Sequence, residues 1–211
     1  AHEQGGPQSY EEAGRWSRLA AIQGHAPAQF RLGVLYANGL GVPQSYEEAV
    51  QWYQRAADQE HARAQSHLGL LHAHGQGLPK DYRAAIRWYR RAAQQGDALA
   101  QFQLGVLYAN GQGVPRNYEM AGQWYRRAAD QGDAGAQFNL AVRYDNGQGV
   151  AQSYTEAGWW YRRAAQQGHA RAQSNLGVLY ASGQGLPKDV IRAYMWLTVA
   201  VAGSRGDDVK T

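Results

Sequence analysis

A 36-residue period constrains this chain more than any other feature. The pattern of Ala28–Arg63 restarts at Ala64, Ala100, Ala136 and Ala172, each 36 residues after the last. Residues 1–27 carry the second half of one further copy, with Pro7, Tyr10, Ala13, Trp16, Ala20 and Ala21 in register. A unit this short cannot bury its own apolar face, so copies must stack and stabilise one another. The 211 residues therefore read as a single array. It comprises a partial copy over 1–27, full copies over 28–63, 64–99, 100–135 and 136–171, a last copy over 172–207 and a tail over 208–211.

Within a copy the periodicity predicts helix, Gly-rich turn, then a longer helix. Ala28, Leu32, Leu35 and Tyr36 recur at helical spacing and define a buried stripe. Gly33 lies in that stripe, where it costs roughly 1 kcal/mol against Ala; close backbone approach of a neighbouring helix is the expected reason. Gly39, Gly75, Gly111, Gly147 and Gly183 read as left-handed helix ends. A second glycine, Val or Leu, and usually Pro then follow. Ser9…Glu12, Ser45…Glu48 and Ser153…Glu156 read as capping boxes, and Asp81, Asn117 and Asp189 as simple N-caps. Along the second helix Tyr46, Ala49, Trp52, Tyr53 and Ala56 share a face, and Gly24, Gly96, Gly132 and Gly168 close the unit. The residues after these glycines, His25, Asp97, Asp133 and His169, read as caps of the next helix. The expected order is a lone second-type helix at about 8–23 and then five helix pairs ending near residue 202. The fold class is all-α, an α-solenoid.

These recurring residues resemble the Sel-1-like repeat (SLR) family, a relative of the tetratricopeptide repeats. Ala28, Leu32, Gly33, Tyr36, Gly39, Gly41, Val42, Tyr46, Ala49, Trp52, Ala56 and Ala57 carry the resemblance, repeated over residues 1–207. His72, Glu60 and Val190 depart from the pattern, in place of a first-helix Tyr, a closing Gly and a second-helix Tyr. The resemblance implies an α/α right-handed superhelix with first-type helices on its concave side, and a scaffold or adaptor role toward protein partners. It also favours a bacterial protein of the periplasm or exterior, with the cytoplasm as an alternative.

Composition narrows the chemistry. A net charge of +4 is too mild for a nucleic-acid signature, and with no Cys there is neither disulfide nor thiolate metal site. No apolar run reaches the roughly 20 residues that span a bilayer. The chain opens within a copy and without Met, which reads as a fragment or mature piece of something longer. The GxG turns lack the preceding strand and following Lys of a phosphate loop. His61, His67, His72 and His74 cluster without the i, i+4 spacing of a zinc helix; His67 and His74 share a face, His72 fills a tyrosine slot, and the others read as solvated. No nucleophile or zinc-protease motif is present, so neither a cofactor nor an enzyme is expected.

Two surfaces remain. Arg55, Arg90, Arg91, Arg126, Arg127, Arg162 and Arg163 form a ladder along the second-type helices. It is read as a solvated face whose stems cover aromatic side chains, with binding of an anionic polymer, nucleic acid or glycan, as the alternative function. The first-type helices offer the better partner site. Phe30, Arg31, Asn38, His67, His74, Phe102, Asn110, Phe138, Asn139 and Asn146 lie off the core stripe, with Ser66, Leu70, Val106 and Asp145 nearby. Apolar residues flanked by amides suit an extended peptide. Arg205-Gly206-Asp207 reads as a coincidence in a frayed tail. Neither end has a polar cap, and Thr198 and Val199 replace exposed arginines, so self-association through the ends is a further expectation.

Overall fold

The structure, a computed structural model, describes residues 7–207, with eleven α-helices and no strand among them. Second-type helices carry odd numbers: α1 (Pro7–Ile22), α3 (Tyr46–Asp58), α5 (Tyr82–Gln94), α7 (Tyr118–Asp130), α9 (Tyr154–Gln166) and α11 (Val190–Asp207). First-type helices carry even numbers: α2 (Ala26–Asn38), α4 (Ala62–His74), α6 (Ala98–Asn110), α8 (Ala134–Asn146) and α10 (Ala170–Ser182). The chain forms two compact units, Ala1–Ala100 and Gln101–Thr211. The fold class is the all-α helical repeat that the periodicity implied.

The turn after each first-type helix is tied at both ends. Gly39, Gly75, Gly147 and Gly183 adopt φ of 67, 74, 64 and 78° and end their helices in the left-handed region. The next helix starts on a side-chain cap: Ser45 Oγ accepts from the Glu48 N–H at 3.1 Å, Asp81 from Arg83 and Ala84, Asn117 from Met120, Ser153 from Glu156. The reciprocal half of the expected boxes is not made. The N–H groups of Ser45, Asp81, Asn117, Ser153 and Asp189 instead donate to the carbonyls of Tyr36, His72, Tyr108, Tyr144 and Tyr180, each at 2.9 Å. That bond joins the two helices of a copy across the turn, leaving no donor for the glutamate to reach. The box expected at Ser9 fails differently, because α1 already starts at Pro7; the side chains of Ser9, Tyr10 and Ala13 lie outside the described residues.

The second glycine of the turn meets the preceding copy. A Cβ on Gly149 (φ 73°) would lie 2.3 Å from the carbonyl carbon of Tyr118, and one on Gly77 2.5 Å from that of Tyr46. The turn therefore packs directly on the first residue of a second-type helix, at a distance no side chain permits. The glycine within the buried stripe has a different reason from the one expected. A Cβ on Gly33 would lie 2.5 Å from the Tyr53 ring, and one on Gly105 2.5 Å from that of Tyr125. An aromatic ring, rather than a neighbouring backbone, fills that space.

The core follows. In the first unit Leu32, Leu35, Tyr36, Ala49, Tyr53 and Leu68 are buried together; in the second, Leu140, Trp160, Tyr161, Leu176 and their neighbours are. Leu32, Leu68, Leu104, Leu140 and Leu176 are at most 1% exposed, and each contributes about 1.5–3 kcal/mol of burial. Glu60 takes the closing left-handed position at φ 59°, where Gly24, Gly96, Gly132 and Gly168 stand elsewhere.

Each unit also buries a row of glutamines in its core. Gln29, Gln65, Gln101, Gln137 and Gln173 are all at most 5% exposed. The side-chain amide of Gln137 donates to the Ala129 carbonyl at 3.1 Å, and its oxygen accepts from Gln167 at 2.8 Å. Gln29 makes the same pair of bonds with Ala21 and Gln59, and Gln65 with Ala57 and Gln95. Gln173 keeps the bond to Ala165, but its Oε1 has no partner among the described residues; Gly203 stands where the donor glutamine would be.

Candidate partner-binding face

The expected site residues lie on the outward sides of the even-numbered helices, but several are engaged. In the first unit Phe30 is half-buried. Its ring stacks on His61 with centroids 5.0 Å apart and meets His67 edge-on at 5.1 Å and Tyr53 at 5.7 Å. His67 also binds the Arg63 carbonyl through Nδ1 at 2.8 Å, and His74 that of Leu70 at 2.9 Å. Asn38 is exposed and donates to the Val34 carbonyl one turn back, which leaves its oxygen facing water. Arg31 is exposed. Ser66 is not on this face at all: it is 1% exposed and bonds the Arg63 carbonyl.

In the second unit Phe102 and Phe138 each lie 6.0 Å from a buried tyrosine, Tyr125 and Tyr161, at the same 43° tilt. Phe138 also stacks on His169 at 4.5 Å. Asn139 and Asn146 donate to the carbonyls of Gly135 and Val142, and Asn110 is exposed. Asp145 accepts from the Tyr161 hydroxyl at 2.9 Å. Burial raises that phenol above its usual range and pushes Tyr125 up to about 12, so both remain protonated donors. The phenylalanines are thus anchored floor elements, with open crevices beside two of them. A 510 Å³ crevice adjoins Phe30, and a 260 Å³ crevice adjoins Phe138 between Arg171, Asn175 and Val201.

One histidine departs from expectation: His61 is a cap rather than a solvated group, while His169 is the cap its position implies, and their Nδ1 atoms accept from the N–H of Ala64 and Ala172 at 3.2 Å. Asp97 and Asp133 fill the same role for Ala100 and Ala136, whereas His25 makes no such bond. Burial, above all, lowers the pKa of His61, with Arg63 and His67 adding repulsion; burial likewise lowers that of His169, with Arg171 adding repulsion and Asp133 opposing it. A lowered pKa means that the unfolded chain binds more protons, so stability is full above the unfolded value near 6.5 and is lost as pH falls through it. Tm should therefore drop by a few degrees between about pH 7.5 and pH 5.5. A His61→Asp/His169→Asp protein, with the caps used at 97 and 133, should show a shallower drop; an unchanged slope would exclude these two caps as its source. Among the described residues no group of three potential ligands is placed for a metal ion.

The arginine ladder contacts the protein's own aromatic rings. Arg55, Arg91, Arg127 and Arg163 lie 4.5, 5.1, 4.6 and 4.8 Å over Trp52, Trp88, Trp124 and Trp159. Arg126 and Arg162 donate to the Tyr144 and Tyr180 hydroxyls. The helix α11 continues through Asp207, past the expected end, so the backbone of residues 205–207 is helical; their side chains lie outside the described residues. Exposed apolar residues occur on α1 and α11, Trp16 at 73% and Ile191 at 83% among them. Among the described residues no helix is long and apolar enough to cross a membrane.

Sequence reasoning missed His61, His169, Arg63 and Arg171 as members of this face. The available signal was that the outer two of positions 61, 97, 133 and 169 hold His and the inner two Asp, with Arg two residues on only where His stands.

Residues 1–25, 26–61, 62–97, 98–133, 134–169 and 170–203 each match the Sel1 repeat family. The chain is similar to the Sel1 repeat protein from Oxalobacter formigenes, with 39% identity and a TM-score of 0.85 over 92% of this chain and 78% of that one. It is similar also to c5321, a protective antigen of uropathogenic Escherichia coli with an SLR fold, at 37% identity and a TM-score of 0.86 over 89% of this chain. The chain spans 40% of the length of that antigen. The immunity protein Pa5087 from Pseudomonas aeruginosa shares the fold at 21% identity and a TM-score of 0.56, over 90% of this chain and 73% of that one. A search of curated proteins finds no match.

Proposed function

The chain belongs to the Sel1 repeat family, and from that premise we propose that it is a non-enzymatic scaffold holding an extended segment of a partner protein. Proteins of this family are generally scaffolds for protein–protein interaction. The segment lies along the outward sides of the even-numbered helices, within either unit. The observation that supports this reading most is the set of half-buried rings at Phe30, Phe102 and Phe138, each locked against a buried tyrosine. Rings fixed in this way offer apolar contact without losing rotamer freedom on binding. The Asn38, Asn139 and Asn146 amides donate inward and keep their oxygens for the backbone N–H groups of a guest strand.

The alternative, an anionic polymer along the second-type helices, draws on exposed Arg55, Arg90, Arg91 and Arg127; three of these lie over tryptophan rings of their own helix. Peptides selected from a random display library distinguish the two. Their affinity should fall roughly tenfold or more in the Phe30→Leu/Phe102→Leu/Phe138→Leu protein and stay within about twofold in Arg55→Glu/Arg91→Glu/Arg127→Glu. The opposite pattern, with heparin bound steeply dependent on salt, would transfer the function to the arginine ladder.

A further inference from the structure

We propose, resting on the peptide-scaffold reading above, that the first unit selects acidic segments, those in which an aromatic or branched apolar residue adjoins Asp or Glu. The 510 Å³ crevice beside α2 and α4 has an apolar floor of Pro27, Phe30, Val34 and Ala62, and two guanidinium-bearing walls, Arg31 and Arg63. A second crevice of 470 Å³ adjoins it, lined by Trp16, Ala20 and Ala28, and Arg31 stands between the two. Both arginines are exposed, and neither side chain has a hydrogen bond or ion pair among the described residues. This separates them from Arg55 and Arg91 in the same unit, which rest on tryptophan rings.

Three nearby acids are engaged elsewhere, Asp58 with the Gln54 amide at 2.8 Å among them. Glu60 accepts from the Gln65 amide at 2.9 Å, and Asp97 caps α6 through the Ala100 N–H at 2.8 Å. His61 in the crevice wall is kept neutral by burial and by its neighbours and accepts from the Ala64 N–H, so it adds no competing acceptor to the groove. The second unit lacks the pair. At the positions of Arg31 and Arg63 the later copies carry Gln103 with Gly135, and Asn139 with Arg171. Charge complementarity therefore places carboxylates on either side of an apolar side chain seated on Phe30. A polyanion would need a row of unengaged cations and would leave the apolar floor empty.

The test uses the whole chain and peptides selected on it from a random display library. Enriched peptides should be net acidic with an apolar residue beside the acid, and a labelled enriched peptide should lose roughly tenfold affinity on Arg31→Gln/Arg63→Gln. Both positions are exposed, so the Tm of this variant should match the native one. Raising salt to about 0.5 M should weaken the native protein and leave the double variant little changed. Neutral or basic enriched peptides, or acidic ones bound equally by Arg31→Gln/Arg63→Gln, would overturn the proposal. If such peptides are still lost in the triple phenylalanine variant, the acidic selection falls and the scaffold reading stands. Insensitivity to both variants, or no enrichment, removes both. Displacement by heparin that ignores Phe30→Leu would assign the arginines to a polyanion. Concentration-dependent sedimentation abolished by Arg31→Gln/Arg63→Gln would assign them to a second copy of this chain.

Discussion

Replacing Gln137 with leucine should lower the free energy of unfolding by about 2 kcal/mol, while the same change at Gln173 should cost well under half as much. Both side chains are at most 5% exposed and both donate to a helix carbonyl at 3.1 Å. They differ on the other oxygen–nitrogen side of the amide. Gln137 accepts from Gln167 at 2.8 Å, whereas the Gln173 oxygen is buried with no partner among the described residues. Losing two buried bonds costs about 1 kcal/mol each; losing one while removing an orphaned acceptor nearly cancels. Urea unfolding of both variants reads the difference through the midpoint at constant slope. Equal losses at the two positions would show that the glutamine row acts by shape alone.

The Arg143→Leu variant should move the other way, stabilising the protein by about 1–3 kcal/mol. The equivalent positions hold Leu35, Leu71, Leu107 and Leu179, each at most 5% exposed. In the fourth full copy an arginine enters that slot, and its Nε and Nη1 are buried without partners among the described residues. The guanidinium lies 4.9 Å over the Tyr118 ring, which returns part of the desolvation cost but satisfies neither N–H. Leucine restores the packing of its sister copies. A drop in the thermal or urea midpoint on this change would mean that the cation helps hold the fourth copy together through its field at Tyr161.

Most of the fold was legible because each repeated residue does the same job in every copy. Leu32 and its successors mark the core, Gly39 and its successors mark helix ends, and Ser45 or Asp81 mark helix starts. The failures share a cause, namely that spacing reports position but not partner. Gly33 signals a close approach but not what approaches, because the Tyr53 ring arrives from another helix. Ser45 has the pattern of a reciprocal cap, but its N–H is claimed by Tyr36. Gln29 and Gln59 carry no signal of their own, since a glutamine in a helix reads as solvated until its mate thirty residues on is placed beside it. On the candidate face the phenylalanines were visible as apolar breaks in a polar side. The histidine stacks and the Arg31–Arg63 pair emerge only when consecutive first-type helices are brought side by side.

The two turns of a copy answer differently to an added side chain. The turn through Gly77 or Gly149 rests on the backbone of a preceding helix and is bonded across its own ends, so a side chain there has no room. The closing turns through Gly96, Gly132 and Gly168 have nothing within 4 Å of where a side chain would start. A side chain there meets open space, and only the left-handed φ of 90, 97 and 86° favours glycine. Glu60 already stands at the equivalent position with φ 59°, so these junctions are where one copy can carry a side chain its sisters lack while the turns through Gly77 and Gly149 stay fixed.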